Sequence, residues 1–417
     1  MRPNRLWGAA AMLLPALLTA QTTTAVTARR MLDLRSGRMI DNPVVVIQDG
    51  RITAVGSTAP AGVTPINLGD VTLLPGFMDL HTHLTMSIDG NWAVREVFET
   101  PADAALRGAA NARKTLLAGF TTVRDVGAMG GADVSLMRAI DAGRVPGPRI
   151  IPSREAIGIT GGHCDITGYA PGILEGGGGV ADGPDAVVKA VRYQIKYGAK
   201  VIKVCATAGV LSNEGPVGAQ QLSDEELKAI VDEARRHGLK VAAHAHGAEG
   251  ILAAVRAGVS SIEHGSMIND QAIALMKQKG VYLVPTTYLA DRIDLSALPP
   301  NIRAKAESLL PLAKDNLRHA IRAGVKIAFG TDAAVYPHGE NAHEFGALVD
   351  RGMTPLEALR TATLNAADLL GVDDRGEIAP GKLADMVAVP GNPLEDIHVT
   401  ERVTWVMKGG AVVSSNP

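Results

Sequence analysis

Hydrophobic residues along the chain fall into two textures. Near the start, short β-branched runs alternate with turns: Val44 to Ile47, the pair Asp49-Gly50, then Ile52 to Val55. Asp-Gly between two such runs is a hairpin signal, so this segment predicts a small antiparallel sheet. The same texture returns only at the end, in Met386 to Val389 and Val403 to Met407, followed by Gly409-Gly410 and Val412-Val413. The two ends are expected to pair into one β domain.

Between them, short apolar runs alternate with helical patterns, the form taken by repeated βα units and a parallel sheet. Eight runs can be marked: Leu73 to Leu80, Thr121 to Val126, Arg149 to Pro152, Lys200 to Val204, Lys240 to Ala245, Ser260 to Glu263, Val281 to Pro285 and Lys326 to Phe329. Eight units close a barrel. Helix signals agree: Thr354-Pro355-Leu356-Glu357 supplies a cap, a proline at the first helical position and a capping-box glutamate before an apolar repeat that stops at Gly371. Ser223 with Glu226 repeats the device. The expected architecture is α/β, a (β/α)8 TIM barrel over 75–372 and a small β-sandwich domain built from 21–74 and 373–417. Gly176 to Gly179 lack the following Lys-Ser/Thr of a phosphate cradle and read as a loop.

Charge and composition narrow the partners. Lys+Arg 41 against Asp+Glu 43 leaves a net charge of −2, with no dense basic run, which excludes a nucleic-acid-binding field. Residues 1–20 carry Arg2 and Arg5, an apolar stretch from Leu6 through Leu18 and small residues at a cleavage position, and read as an export signal. That stretch is shorter than the roughly 20 residues a membrane span needs. The expectation is a periplasmic or secreted protein with no membrane association after cleavage. Cys164 and Cys205 make no disulfide framework and are read as thiols.

Candidate chemistry sits at the ends of the runs. His81 and His83 end the first and share a side by strand alternation. His244 ends the fifth, His264 the sixth and Asp332 the eighth. Barrel active sites are assembled at the carboxyl ends of the strands, so these side chains are expected to converge. Imidazole and carboxylate suit Zn2+, with Mn2+, Co2+ or Fe2+ fitting the same set. Lys203 ends the fourth run amid apolar residues, where a free ammonium is costly and would repel cations. Two readings stay open for it: a carbamate formed with CO2, or an ion pair with Asp332 or a neighbouring carboxylate.

Taken together, Gly76-Phe77-Met78-Asp79-Leu80-His81-Thr82-His83, Lys203 in its strand, Ala243-His244-Ala245-His246-Gly247, Ser261-Ile262-Glu263-His264-Gly265, Gly330-Thr331-Asp332 and Gly381-Lys382-Leu383-Ala384-Asp385 form a pattern. It resembles the amidohydrolase superfamily, in the imidazolonepropionase-like branch with binuclear prolidase-type carboxypeptidases and ochratoxinase. The resemblance implies two divalent ions, one held by His81, His83, Lys203 and Asp332 and the other by Lys203, His244 and His264, with a CO2-derived carbamate on Lys203. It also implies cleavage of amide bonds by a water acidified between the ions, releasing a C-terminal amino acid from dipeptides or N-acyl amino acids such as ochratoxin A.

Asp332 is the candidate proton shuttle, and His163, just beyond the third run, the candidate donor to the oxyanion. The family usually has Gly between this histidine and aspartate; here Cys164 stands there, which puts the loop geometry in doubt. His246 either binds a substrate carboxylate or orients the metal ligands. Tyr288 is a further candidate for substrate contact. The resemblance also suggests a homo-oligomer, with Phe345 to Met353 offering a contact. The alternative function is a mononuclear deaminase or a cyclic-amide or lactone hydrolase; Lys203 discriminates, favouring binuclear amide, lactone or phosphoester hydrolases over the mononuclear deaminases, whose sites usually lack it. A barrel serving only as a binding module is disfavoured because all six ligands are present.

Overall fold

A computed structural model describes residues 23–88, 95–170, 172 and 176–415. The expected export signal therefore lies outside the described residues. Among those described, no helix is long and apolar enough to cross a membrane.

The chain ends do share a sheet. Met386–Pro390 runs antiparallel to Val71–Pro75, extending a six-stranded sheet that holds Arg30–Asp33 and Arg38–Asp41 on one side and Trp405–Lys408 and Ala411–Ser415 on the other. A second sheet of four strands contains Thr23–Thr27, Val44–Gln48 and Arg51–Gly56. Val26, Ile47 and Ile52 from the smaller sheet and Leu73, Met386 and Trp405 from the larger bury one another in a common core. The two sheets pack face to face through this core, and the larger sheet's other face is apolar as well, Leu74, Val387 and Val406 joining the main core.

The middle of the chain forms parallel sheets with helices between their strands. Phe77–Thr82, Phe120–Asp125 and Arg149–Pro152 make one; Ile202–Cys205, Val241–Ala245, Ser261–His264 and Tyr282–Val284 make the other. Isolated parallel bridges continue the series, from Ile157 to Val204, from Leu283 to Ile327 and from Thr82 to Ala333. The eighth run is thus present as single bridges flanking 327–333 rather than as a ladder. Four of the five phenylalanines, Phe77, Phe120, Phe329 and Phe345, pack ring against ring in the interior, with centroids 4.5 Å apart at the closest pair. Phe345 is fully buried, so it is a core residue and not the intersubunit contact suggested for it.

Two expectations change in detail. The first run is divided: Val71–Pro75 belongs to the sandwich and Phe77–Thr82 to the parallel sheet, with Gly76 as the only residue between. The helix expected from Thr354 to Gly371 keeps both ends, a capping box at Thr354 and a left-handed Gly371, but breaks into Pro355–Thr361 and Leu364–Leu370. At the break, the carbonyl of Thr361 accepts from the Phe329 amide and that of Ala362 from the Met78 amide, each at the expense of helix continuity. Competition from strand amides overrides a local helical pattern here. A third expectation is corrected: Cys164 and Cys205 are joined in a disulfide, their Cα atoms 5.8 Å apart. The fold brings the loop of one against the strand of the other, which a spacing of 41 residues does not reveal.

Gly76 owes its place to contact, since a Cβ there would stand 2.6 Å from Thr121 Cγ2 and closer still to the hydroxyl. Gly76→Ala is expected to cost about 1–3 kcal/mol by overpacking a buried site. Thr121→Ala in the same chain should recover most of the loss in a urea titration; an unaffected single variant would refute the crowding.

Candidate metal centre

Six histidines gather at the carboxyl ends of the parallel strands. The ring of His81 lies 5.5 Å from His83 and 4.9 Å from His264; His264 lies 4.7 Å from His244 and 5.0 Å from His246; His244 lies 4.1 Å from His163. Asp332 Oδ1 completes the group at 3.5 Å from His81 Nε2 and 3.3 Å from His83 Nε2. One atom from each of His81, His83 and Asp332 lies within 4.8 Å of the others, a spacing that can hold a metal ion. Lys203, in Ile202–Cys205, is buried and close enough to these rings for its charge to act on His81, His83, His244, His246 and His264.

The rings are aimed by what holds their other nitrogen. His81 Nδ1 meets Glu263 Oε2 at 2.8 Å, His83 Nδ1 the Gly127 carbonyl at 3.1 Å, His264 Nδ1 the Thr286 hydroxyl at 2.8 Å and His246 Nδ1 the Ser266 hydroxyl at 2.9 Å. With Nδ1 engaged, Nε2 presents its lone pair inward, the outer-sphere arrangement that metal-binding histidines use. His163 Nδ1 is held by Ser212 Oγ at 2.7 Å, with Glu214 Oε1 at 3.2 Å. His244 Nε2 is buried with no hydrogen-bond partner, an orphaned lone pair that a metal ion would satisfy. The donor set therefore fits divalent metal. His264 and Asp332 also adopt left-handed backbone, φ 69° and 59°, as does Thr286 at 50°. Such strain, of order 1–3 kcal/mol per residue, concentrates where a side chain must be placed against the run of its strand.

Two supports were not singled out from sequence. Glu263 accepts from Arg124 Nη2 at 2.8 Å and Ser261 Oγ at 2.5 Å as well as meeting His81, all of it buried. Asp79 accepts from the Thr331 hydroxyl at 2.6 Å, Asn341 Nδ2 at 2.8 Å and the His81 amide at 3.1 Å, tying the strand end of His81 to that of Asp332. A charged residue inside each of the β-branched runs Thr121 to Val126 and Ser260 to Glu263 was the available signal, because buried charges need partners. Tyr288 is not brought into the cluster: its ring stacks on His343 at 5.0 Å and meets Tyr336 edge-on at 5.2 Å. Beside His246 and His264 opens a cavity under the helix Pro300–Arg322, walled by Leu289, Ile293, Leu309 and Leu310 and lined, among the described residues, by no carboxylate, lysine or arginine.

Residues 72–413 match the amidohydrolase family. The chain belongs to that family. As an amidohydrolase it is a hydrolase acting on amide bonds. It is 37% identical to ochratoxinase of Aspergillus niger over 90% of this chain and 83% of that protein, and 27% identical to imidazolonepropionase of Deinococcus deserti over 91% and 93%. Among solved structures, a Xaa-Pro dipeptidase with methionine bound in its active site superposes with a TM-score of 0.90 at 38% identity, covering 94% of this chain and all of the other.

Burial sets the protonation of the amidohydrolase's cluster. It holds His81 down at about 4, with the Lys203 charge acting in the same direction, and His246 down at about 3, with His163 adding. Burial also brings Lys203 down to about 8 against the pull of Glu263 and Asp332. Burial alone would raise Glu263, but the Arg124 guanidinium and the His81 hydrogen bond hold it at about 2. The imidazoles of His81, His244, His246 and His264 are therefore neutral and available as ligands at neutral pH, whereas His83 is shifted upward, because its hydrogen bond to Asp332 and the charge of that carboxylate outweigh burial.

Because both histidines titrate lower folded than unfolded, the unfolded chain binds more protons below their ordinary value of 6.5. Metal-stripped protein is expected to hold its full contribution from these groups above that pH and to lose it progressively as pH falls toward 4. Histidine ring 15N shifts of the metal-stripped protein, followed from pH 7.5 to 3, check this; His81 or His246 titrating near 6.5 contradicts the neutral cluster.

Proposed function

We propose that this amidohydrolase is a binuclear metal-dependent enzyme of carboxypeptidase type, releasing a C-terminal amino acid from dipeptides or N-acyl amino acids, on an eight-stranded barrel with a β-sandwich appended. The observation that carries the reading is the burial of Lys203 within the ring of imidazoles. Among the described residues Lys203 makes no ion pair, and Glu263 and Asp332 act on it only from a distance. An ammonium there opposes cations, whereas a carbamate formed with CO2 reverses its charge and offers two oxygens. His81, His83 and Asp332 would then hold one ion, His244 and His264 the other, and carboxylated Lys203 both. Zinc suits the ligands best.

The ions would supply an acidified water and polarisation of the scissile carbonyl. The chain's own residues do the rest. Asp332, its Oδ1 facing His81 and His83, accepts the proton of the attacking water and returns it to the departing nitrogen. His163, with Nδ1 held by Ser212 and Glu214, turns Nε2 toward the developing oxyanion. His246, anchored on Ser266, is placed to meet the substrate or steady its neighbours. The uncharged cavity beside His246 and His264 favours an apolar group on the substrate. Similarity to ochratoxinase and to a Xaa-Pro dipeptidase supports the same substrate class. A disulfide persists in oxidising compartments, which supports the reading of the first residues as an export signal.

The test is release of free amino acid from a panel of dipeptides and N-acyl amino acids by the metal-replete protein. Asp332→Asn is expected to lower kcat by at least about 1,000-fold with the fold intact. Lys203→Ala should lose metal and activity together, with partial rescue by small carboxylic acids. An active, metal-replete Lys203→Ala protein contradicts the binuclear site, and ammonia release from nucleobases in place of amino-acid release moves the assignment to a deaminase.

A further inference from the structure

The disulfide lies between two parts of the candidate site. Cys205 is the last residue of the strand Ile202–Cys205, two beyond Lys203, and is buried. Its register partner on the neighbouring strand is His244. Cys164 directly follows His163 in a loop held by its own turns, Gly162 amide to Ile159 carbonyl and Asp165 amide to Gly162 carbonyl, and near its start by Asp182, which accepts from the Thr160 amide and hydroxyl. The disulfide is thus a covalent tie from this loop to the strand of Lys203, one residue from the ring that rests 4.1 Å from His244. The other ties at His163 are hydrogen bonds: its amide to Gln221 Oε1 at 3.0 Å and its ring to Ser212. The loop also sits tightly: a Cβ on Gly158 would stand 2.8 Å from Cys164 Cβ, so backbone yields no room for the loop to settle elsewhere on this side.

We infer that the Cys164–Cys205 disulfide is a positioning clamp for His163, holding its ring against His244, and that reduction of this bond releases the loop and lowers turnover while leaving the metal ligands in place. The clamp's effect on turnover rests on the amide-hydrolase reading; its effect on the loop does not. Hydrogen bonds to exposed or half-buried groups open locally at small cost, whereas the covalent bond removes those open states from the ensemble. Misplacement of a catalytic group by about 1 Å can lower a rate on the order of 100-fold. Cys164 is half-buried, so a small reductant has access to one of the two sulfurs. With a water-soluble phosphine the step balances: the S–S bond breaks, phosphorus takes up the oxygen of one water, and its two electrons with the two protons leave two thiols.

The metal-replete protein is treated with the phosphine, and thiols, bound metal, kcat, KM and amide hydrogen exchange are followed on one sample. Expected are no free thiol before and two after, unchanged metal, a roughly 10- to 100-fold fall in kcat, and faster exchange over 159–168 but not in the strand Val241–Ala245. Cys164→Ser and Cys205→Ala should reproduce the reduced enzyme and ignore the phosphine, which keeps the test open should the native bond resist reduction. In His163→Ala protein, reduction should lower kcat no further, because the group being positioned is gone; a merely structural staple would lower both alike. Two thiols in the air-purified native protein, unaltered exchange after reduction or in the variants, an equal fall in the His163→Ala background, or loss of metal on reduction would each overturn the clamp. A protein with no amide hydrolysis before treatment fails the functional reading instead, and the exchange measurement still decides whether the loop is clamped.

Discussion

The centre of this protein depends on turning a cluster of imidazoles the right way while burial keeps His81, His244, His246 and His264 neutral. Burial alone would favour neutrality and say nothing of orientation. Orientation comes from the partner at Nδ1: Glu263 for His81, the Gly127 carbonyl for His83, Thr286 for His264 and Ser266 for His246. Glu263 is the most consequential of these, since it is fully buried and its charge is balanced by Arg124, itself 2% exposed. Removing one member of such a pair leaves an uncompensated charge in the interior, so Arg124, Glu263 and His81 stand or fall together. Asp79 performs the matching task on the other side, binding the His81 amide and Thr331 at once and so fixing where Asp332 begins.

The rest of the architecture can be seen as what allows this cluster to be placed. Parallel strands bring residues distant in sequence to one end, and the left-handed turns at His264 and Asp332 redirect their side chains after the strands have ended. Gly76 lets the chain pass from sandwich to parallel sheet in one residue, so the strand that carries His81 and His83 is anchored from behind by the strand Val71–Pro75 and its partner Met386–Pro390. The β unit also packs against the parallel strands directly, Leu74, Val387 and Val406 sharing a core with Phe77 and Phe120.

Much of this was legible in the sequence because strand ends and period-two alternation are local properties. His81-Thr82-His83, His244 at the end of its run and Asp332 after Gly330-Thr331 are found by those rules alone, and the pairing of the two chain ends follows from their shared texture. What is not legible in the sequence depends on contacts between distant segments. The helix after Thr354 breaks because the Phe329 and Met78 amides take its carbonyls, Phe345 is buried by rings from three other segments, and Cys164 meets Cys205 only through the fold. Tyr288 follows a strand end in sequence, and the packing of its ring on His343 and Tyr336 is likewise set by the fold. Glu263 and Arg124 were visible as charges within apolar runs, but nothing local pairs residues 139 positions apart.

We propose that the converging imidazoles, with Asp332 and Lys203, hold two divalent ions. Anomalous diffraction from crystals of the protein grown with zinc, measured on either side of the zinc absorption edge, tests it most directly. Two peaks are expected, one against His81, His83 and Asp332 and one against His244 and His264, with density for a carboxylated Lys203 between them. A single peak at His81, His83 and Asp332, with an unmodified Lys203, would contradict it.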